Sequence, residues 1–447
     1  MMMKGCIVAA AAALLAGCVS TEKSEATGRD DIRLIGSEPD PDYSRYLPDY
    51  EGLKRKKELE KQGLYIGPHE SYLVCSPQKK QQGDFAMELY RQMAYNKDNF
   101  AFSPYGVASV CALVGAGAKG ETAAAFKNIL GLSTDNPDEI ARIFGGLKQR
   151  LAGSVKVSDS IWLFRGVKPR DEFCRKTAAA FHAESRSTTG GEAAMREINA
   201  YIERNTSGKI PQLLRCPPSP DTRMMAVNTL YLKAKWEQPF QAAWTKRRDF
   251  KTRTGKTVEV PFMDGQIFCA GYYKTKGLSV LTLPYRDCGL EMVFLLPDED
   301  ISISRIEALL SESFLREIDR SILHKGDPYD SSVFEGVYVT IPKFEMAMRH
   351  DITQSLCWMD IGIAFNPNRA DFSGIASEPI HLSEVVQSVR IRVDEEGTEA
   401  AAATEACGVG SKMPSFVADH PFIFLLRDRT SRTILFMGRV TNPAEKS

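Results

Sequence analysis

The sequence predicts a single α+β domain, with helices gathered early and strands late instead of alternating as they do around a parallel sheet. Apolar residues four apart at Phe85, Leu89 and Met93 mark a helix over 84–95, and similar spacing marks 104–117, 121–130 and 192–204. Alternating or continuous apolar runs mark strands over 224–236, 279–284, 290–296, 337–344, 385–393, 421–427 and 433–440. No internal repeat and no block of like charge interrupts residues 83–443.

Ahead of that domain the chain carries an address and a spacer. MMMKGCIVAAAAALLAGC has one Lys and then an apolar run from Ile7 to Leu15, too short to span a bilayer as a mature helix. Residues 1–17 therefore read as a signal peptide. Leu15-Ala16-Gly17-Cys18 resembles the processing box of bacterial lipoproteins, in which the Cys is acylated and becomes the new N-terminus. An ordinary secretion signal with an incidental Cys is the alternative. Two or more acyl chains on Cys18 would anchor stably where one would not. Val19 stands where an inner-membrane retention signal would have Asp, so the expected location is the outer membrane, on its periplasmic or its surface face. Beyond Cys18, residues up to 82 read as a polar tether: TEKSEATGRDD, EPDPDYSRYLPDYEG and KRKKELEKQG are charged and Pro-containing. The folded domain is expected over 83–447.

Composition narrows the function classes. Of 447 residues, 43% are hydrophobic and 26% charged, which suits a packed core. Lys+Arg and Asp+Glu both number 57, and this balance argues against a nucleic-acid partner, whose footprint would be an excess of Lys and Arg. The ten cysteines form no CxxC, and the six histidines form no HExxH or other metal constellation. Cys6 leaves with the signal and Cys18 takes lipid; most of the remaining eight are expected to be buried free thiols, with pairing in an exported chain left open. Residues Gly115 to Gly120 match GxGxxG, but they follow the helical YGVASVCALV, where a dinucleotide fingerprint needs a strand. The motif reads as the end of one helix and the start of another.

The strand EVVQSVRIRV alternates cleanly. Val385, Gln387, Val389, Ile391 and Val393 share one face, which leaves Gln387 a polar residue in need of a hydrogen-bond partner. DEEGTEAAAATEACGVGSK follows it, over residues 394–412. Thr398, Ala400, Ala402, Thr404, Ala406 and Gly408 share one parity and are all small and uncharged, while Glu399 and Glu405 lie on the other. No Pro occurs between 380 and 413, so the segment could enter a sheet as a strand, small side inward. TEAAAATEA also has high helix propensity, and Gly397, Gly408 and Gly410 permit an exposed loop.

DEEGTEAAAATEA resembles the hinge of an inhibitory serpin, and FVADHPFIFLLRDRTSRTILFMGRVTNP resembles that family's C-terminal signature. NFAFSPYGVASVCALVGAGAKGET, INAYIERNTSGKI, VNTLYLKAKWEQPF, LPYRDCGLEMVFLLPDE and IPKFEMAMRHDITQSLCWMDIGIAFNPNRADFSGI agree collinearly, so the resemblance covers about 83–443. It implies three β-sheets, about nine helices and an exposed reactive-centre loop. It also implies a suicide-substrate inhibitor that has no catalytic residue of its own and no cofactor. A protease cleaves the loop and becomes acyl-linked to it; the freed hinge then inserts into the main sheet as a new strand and drags the protease along. The implied hinge is Glu395, Glu396, Gly397, Thr398, Glu399, Ala400, Ala401, Ala402, Ala403 and Thr404.

Where the main sheet opens, the family has two Ser, an Asn and a His. Ser103 and Asn228 match, Gly106 replaces the second Ser and Gln387 replaces the His, so a reorganised network is expected. Trp236 matches the Trp beside the hinge. Counting seventeen residues from Glu395 puts the cut between Ser411 and Lys412. Counting back from Pro421-Phe422 disagrees by a residue or more and would allow a cut after Lys412. A cut after Ser411 suits an elastase-like or small-residue-tolerant cysteine protease; one after Lys412 suits a trypsin-like protease. The implied partners are such a protease and, through the lipid anchor, a membrane, with the chain itself a monomer. The alternatives are a non-inhibitory serpin acting as a binding or chaperone-like protein, and an unrelated enzyme using Ser411 or Cys407.

Overall fold

A computed structural model of the chain describes residues 85–95, 98–132, 137–210, 212–322, 336–398 and 413–445. The expected signal peptide, Cys18 and its tether, hinge residues 399–404 and the Ser411–Lys412 bond lie outside them.

Three sheets form the frame. The first has five strands in the order β12 (Phe344–Asp351), β13 (Leu382–Val393), β4 (Met224–Leu232), β2 (Val155–Leu163) and β3 (Glu184–Ser187). The second has six, β1 (Phe100–Phe102), β17 (Ile434–Val440), β16 (Phe422–Asp428), β10 (Leu290–Pro297), β9 (Leu278–Pro284) and β8 (Gly271–Thr275), all antiparallel. The third has four, β15 (Ser415–Val417), β11 (Val337–Pro342), β7 (Thr257–Ile267) and β6 (Lys246–Lys251). A two-residue ladder pairs β14 (Gly397–Thr398) with β5 (Ala234–Lys235).

Nine α-helices occur among the described residues: α1 (Phe85–Ala94), α2 (Pro104–Gly115), α3 (Gly120–Ile129), α4 (Pro137–Leu151), α5 (Asp171–Phe181), α6 (Gly191–Asn205), α7 (Ile303–Leu309), α8 (Glu312–Ser321) and α9 (Thr353–Leu356). The four expected helices are α1, α2, α3 and α6. Helix α2 is buried along almost its whole length and starts with Ser103 as N-cap, whose Oγ accepts from the Gly106 N–H. The GxGxxG stretch does end α2 and start α3. Its Gly117 packs so closely that a β carbon there would lie 2.2 Å from Ile375 Cγ1, which is a packing role.

Two expected strands are divided. The 224–236 run breaks at Lys233, whose amide donates to the Ser154 carbonyl, and the 337–344 run breaks at Lys343, whose amide donates to Pro261. Cysteine burial also departs from expectation. The six cysteines among the described residues are free thiols, but only Cys111 and Cys357 are fully buried and Cys216 is exposed. Cys174, in the first turn of α5, Cys269, between β7 and β8, and Cys288, between β9 and β10, are half-buried. Burial still pushes the Cys269 thiol up to about 11.

Candidate functional site

The centre of the five-stranded sheet is a parallel pair. β4 and β13 run side by side from Leu382 opposite Met224 to Arg390 opposite Tyr231, with Gln387 facing Asn228. Every residue of β4 is buried, since α2 and the core lie under one face and α6 covers part of the other. Parallel neighbours cannot be joined by a hairpin, so a further strand tied to β13 by a tight turn would lie antiparallel to both.

Beneath this pair, Gln387 meets its need for partners in full. Its Oε1 accepts from the Ser103 N–H at 2.8 Å, and its Nε2 donates to the Ser103 carbonyl at 3.0 Å and to Asn228 Oδ1 at 2.7 Å. Asn228 Nδ2 in turn donates to Asp159 Oδ1 at 2.7 Å, and Ser109 Oγ donates to Asp159 Oδ2 at 2.8 Å. Lys148 Nζ lies 3.6 Å from the same carboxylate. Asp159, Asn228 and Gln387 are sealed from solvent, so each of these bonds is made where water cannot replace it.

The two departures from the family pattern account for each other. A β carbon on residue 106 would lie 2.2 Å from Asn228 Oδ1, so the Asn228 side chain occupies the space a serine at 106 would need. Gly106 thereby frees Asn228 to bridge Gln387 and Asp159. A histidine does stand beside the cluster, but on the next strand: His350 faces Gln387 across β12–β13, and its Nε2 lies 2.7 Å from the Ala101 carbonyl oxygen.

The root of the loop forms a second cluster. After β13 the backbone folds back at once, with Asp394 and Gly397 exchanging both backbone hydrogen bonds at 3.0 and 3.2 Å. Gly397 has φ +136°, and a β carbon there would meet the Ala234 carbonyl oxygen at 2.3 Å, so only glycine fits. Trp236 Nε1 donates to the Asp394 carbonyl at 3.0 Å, its amide donates to Glu396, and its ring stacks on Tyr285 with centroids 4.3 Å apart. Glu395 is bridged by Thr245 Oγ1 at 2.7 Å and Lys343 Nζ at 2.6 Å, and its carbonyl accepts from Phe240. Burial works to raise the Glu395 pKa, but these hydrogen bonds outweigh it and hold the carboxyl below its ordinary 4.5.

The structure therefore brings Ser103, Gly106, Asn228 and Gln387 together, and places Trp236 with Glu395, Glu396 and Gly397 at the turn. Sequence reasoning missed Asp159, Ser109 and Lys148 in the first cluster, and Lys343, Thr245 and Tyr285 in the second. Asp159 left one signal, an acid at the centre of the otherwise strand-like VKVSDSIWL. The lysines left none.

A family model described as "Serpin (serine protease inhibitor)" matches residues 80–443. The chain is a serpin. Human Serpin B8 is 34% identical over 382 residues, which cover 81% of this chain and 98% of that protein. Bovine leukocyte elastase inhibitor is 32% identical, over 80% and 97% of the two chains. Among solved structures, human thyroxine-binding globulin in complex with its ligand superposes with a TM-score of 0.72 at 28% identity, over 81% of this chain and 97% of that one. The three sheets and the helices around them are the serpin fold. The family is described by serine protease inhibition, and the relatives of this chain include an elastase inhibitor.

Proposed function

We propose that this serpin is inhibitory: a serine or cysteine endopeptidase cleaves its loop between Ser411 and Lys412, and the freed hinge enters the five-stranded sheet between β4 and β13 with the protease attached. One observation carries the reading, a strand count that closes from two sides. Gly397 faces Asp394 across the turn, while Gly397 and Thr398 face Lys235 and Ala234 on β5. Continued residue by residue, both counts bring Thr404 to Gln387 on one side and to Asn228 on the other. Those two residues already face each other in the closed pair.

The same counts explain the composition. Ala400, Ala402 and Ala406 would point between Ile391 and Leu232, Val389 and Leu230, and Val385 and Ala226, all buried, where only small side chains fit without displacing the core. Glu399 would fall between Lys233 and Arg392, two exposed cations. Thr404 carries a hydroxyl to the point where insertion parts Gln387 from Asn228, so it can replace the bond that is broken.

The test is incubation with an elastase-like, a trypsin-like and a cysteine protease, followed by denaturing electrophoresis and thermal unfolding. A covalent, denaturant-resistant complex and a rise in unfolding temperature after loop cleavage support inhibition. Cleavage with neither would favour a binding protein, as the likeness to thyroxine-binding globulin suggests. We propose further that the chain is exported and held at an outer membrane by lipid on Cys18, on the strength of the LAGC box.

A further inference from the structure

The turn after β15 holds an acid–histidine pair that loop insertion does not use. His420 sets both ring nitrogens against acceptors: Nδ1 lies 2.7 Å from Asp419 Oδ1, and Nε2 lies 2.8 Å from the Pro297 carbonyl oxygen at the end of β10. A neutral imidazole has one N–H and can satisfy only one of them; its other nitrogen would turn a lone pair toward an oxygen lone pair. The imidazolium satisfies both. The ring is 14% exposed, so water has little room to take over either contact.

This turn ties β15 into the rest of the molecule. The Ala418 amide donates to Thr340 on β11 at 2.9 Å, and the Asp419 carbonyl accepts from Lys251 at the end of β6 at 2.8 Å. β15 itself has three residues and lies at a sheet edge, where it pairs in parallel with β11 over Tyr338–Thr340; buried Phe416 against Phe294 and the Tyr338 amide on the Pro414 carbonyl add to that ladder.

We propose that protonated His420 is a pH-sensitive clamp on the C-terminal root of the loop, and that its release lets β15 part from β11. The consequence for activity rests on the inhibitory reading: with β15 free, an uncleaved loop can enter the sheet and the bait is lost. The charges bearing on the ring are Asp419 on its own turn and Glu299 beyond β10, while Lys251 bears on Asp419 from β6. Burial works to lower the His420 pKa, but the hydrogen bonds to Asp419 and Pro297 and the two acids raise it above the ordinary 6.5. The bond with His420 holds Asp419 below its ordinary 3.8. A raised histidine contributes fully below 6.5 and loses its contribution as pH rises through the raised value. The clamp therefore fails on the alkaline side.

Hydrogen exchange at the Tyr338 and Ala418 amides, corrected for the intrinsic effect of pH, reads the parting of β15 directly. Protection in the wild type should fall roughly three- to tenfold between pH 6 and pH 9, the size expected for the loss of a single hydrogen bond. His420→Gln should be less protected at pH 6 and should not change with pH. No fall in the wild type, or an equal fall in both proteins, overturns the clamp. Should His420→Gln not fold, ring nitrogen-15 shifts in the wild type decide: two protonated nitrogens at pH 6.5 support the clamp, and a neutral ring there overturns it. No protease is involved, so failure of the clamp and failure of inhibition are read separately.

Discussion

Gly106→Ser restores the side chain the family carries at that position, yet it should destabilise this protein. The new β carbon would sit 2.2 Å from Asn228 Oδ1, so the Asn228 carboxamide must leave its place. Two buried bonds go with it, from Gln387 Nε2 to Asn228 and from Asn228 Nδ2 to the Asp159 carboxylate, both 2.7 Å long. A neutral buried bond contributes about 0.5–1.5 kcal/mol and one to a charged group about 1.5–3, so the expected loss is about 2–4 kcal/mol. Gln387→His alone should also destabilise, since imidazole cannot reproduce the three contacts Gln387 makes. The double variant should recover about 1–2 kcal/mol relative to the sum of the singles, because the two sites share Asn228. Equilibrium urea unfolding of the uncleaved protein measures all three. A Gly106→Ser protein within about 0.5 kcal/mol of wild type, or singles that simply add, would refute the idea that Gly106 and Gln387 are one adaptation.

Thr398→Arg should turn the inhibitor into a substrate: the inserted residue would have to lie between buried Val393 and Ala234, and an unpaired buried charge costs several kcal/mol, whereas Glu399→Gln should still trap protease. Equal complex formation by the two variants on denaturing gels would count against the strand register. Lys412→Ala should change inhibition only modestly if the cut follows Ser411, and should abolish inhibition of a trypsin-like protease if it follows Lys412. The mass of the C-terminal fragment released from the wild type decides, as it begins at Lys412 in the first case and at Met413 in the second. Cys18→Ala should lose membrane association after a high-salt wash while keeping inhibition in solution; a variant that stays with the membrane fraction contradicts the lipid anchor.

What could be read in the sequence was whatever repeats along it. The period of two through 385–393 and the helical spacing of 84–95 are local, and both elements formed where expected. The need of Gln387 for a partner was legible too, because a polar residue stood on an apolar face. Its partners were not, since Ser103 lies 284 residues away and Asn228 159. β6 was missed for a different reason. KRRDFK buries only Phe250 and pairs its arginines with Glu259 and Asp264, so an edge strand was indistinguishable from a charged loop. The turn at 394–397 lay between these extremes: Gly397 signalled freedom of backbone, while the Trp236, Thr245 and Lys343 contacts that exploit it came from distant strands.

The proposed register adds a condition to one inference from parity. Alternation puts Glu399 and Glu405 on the same outward face, and for Glu399 the strand count agrees, since Lys233 and Arg392 are exposed. Glu405 would instead fall between Val227 and Val386. Both are sealed beneath α6 in a cluster with Trp162, Ile198 and Ile202. A carboxylate cannot enter that cluster unpaired at acceptable cost, so the lower half of the hinge can insert only if α6 lifts from the sheet or Glu405 finds a partner beneath it. The upper half would meet no such obstacle, because on the proposed register Ala400 and Ala402 would pass between apolar neighbours and Thr404 would reach a cluster able to bond to it. Insertion on this reading divides in two. The first stage is favoured by backbone pairing and ends where Gln387 and Asn228 part; the second is limited by the packing of one helix. On the proposed register the cluster around Gln387 would mark the boundary between them, which is where a network rebuilt around Gly106 would have the greatest leverage on the rate.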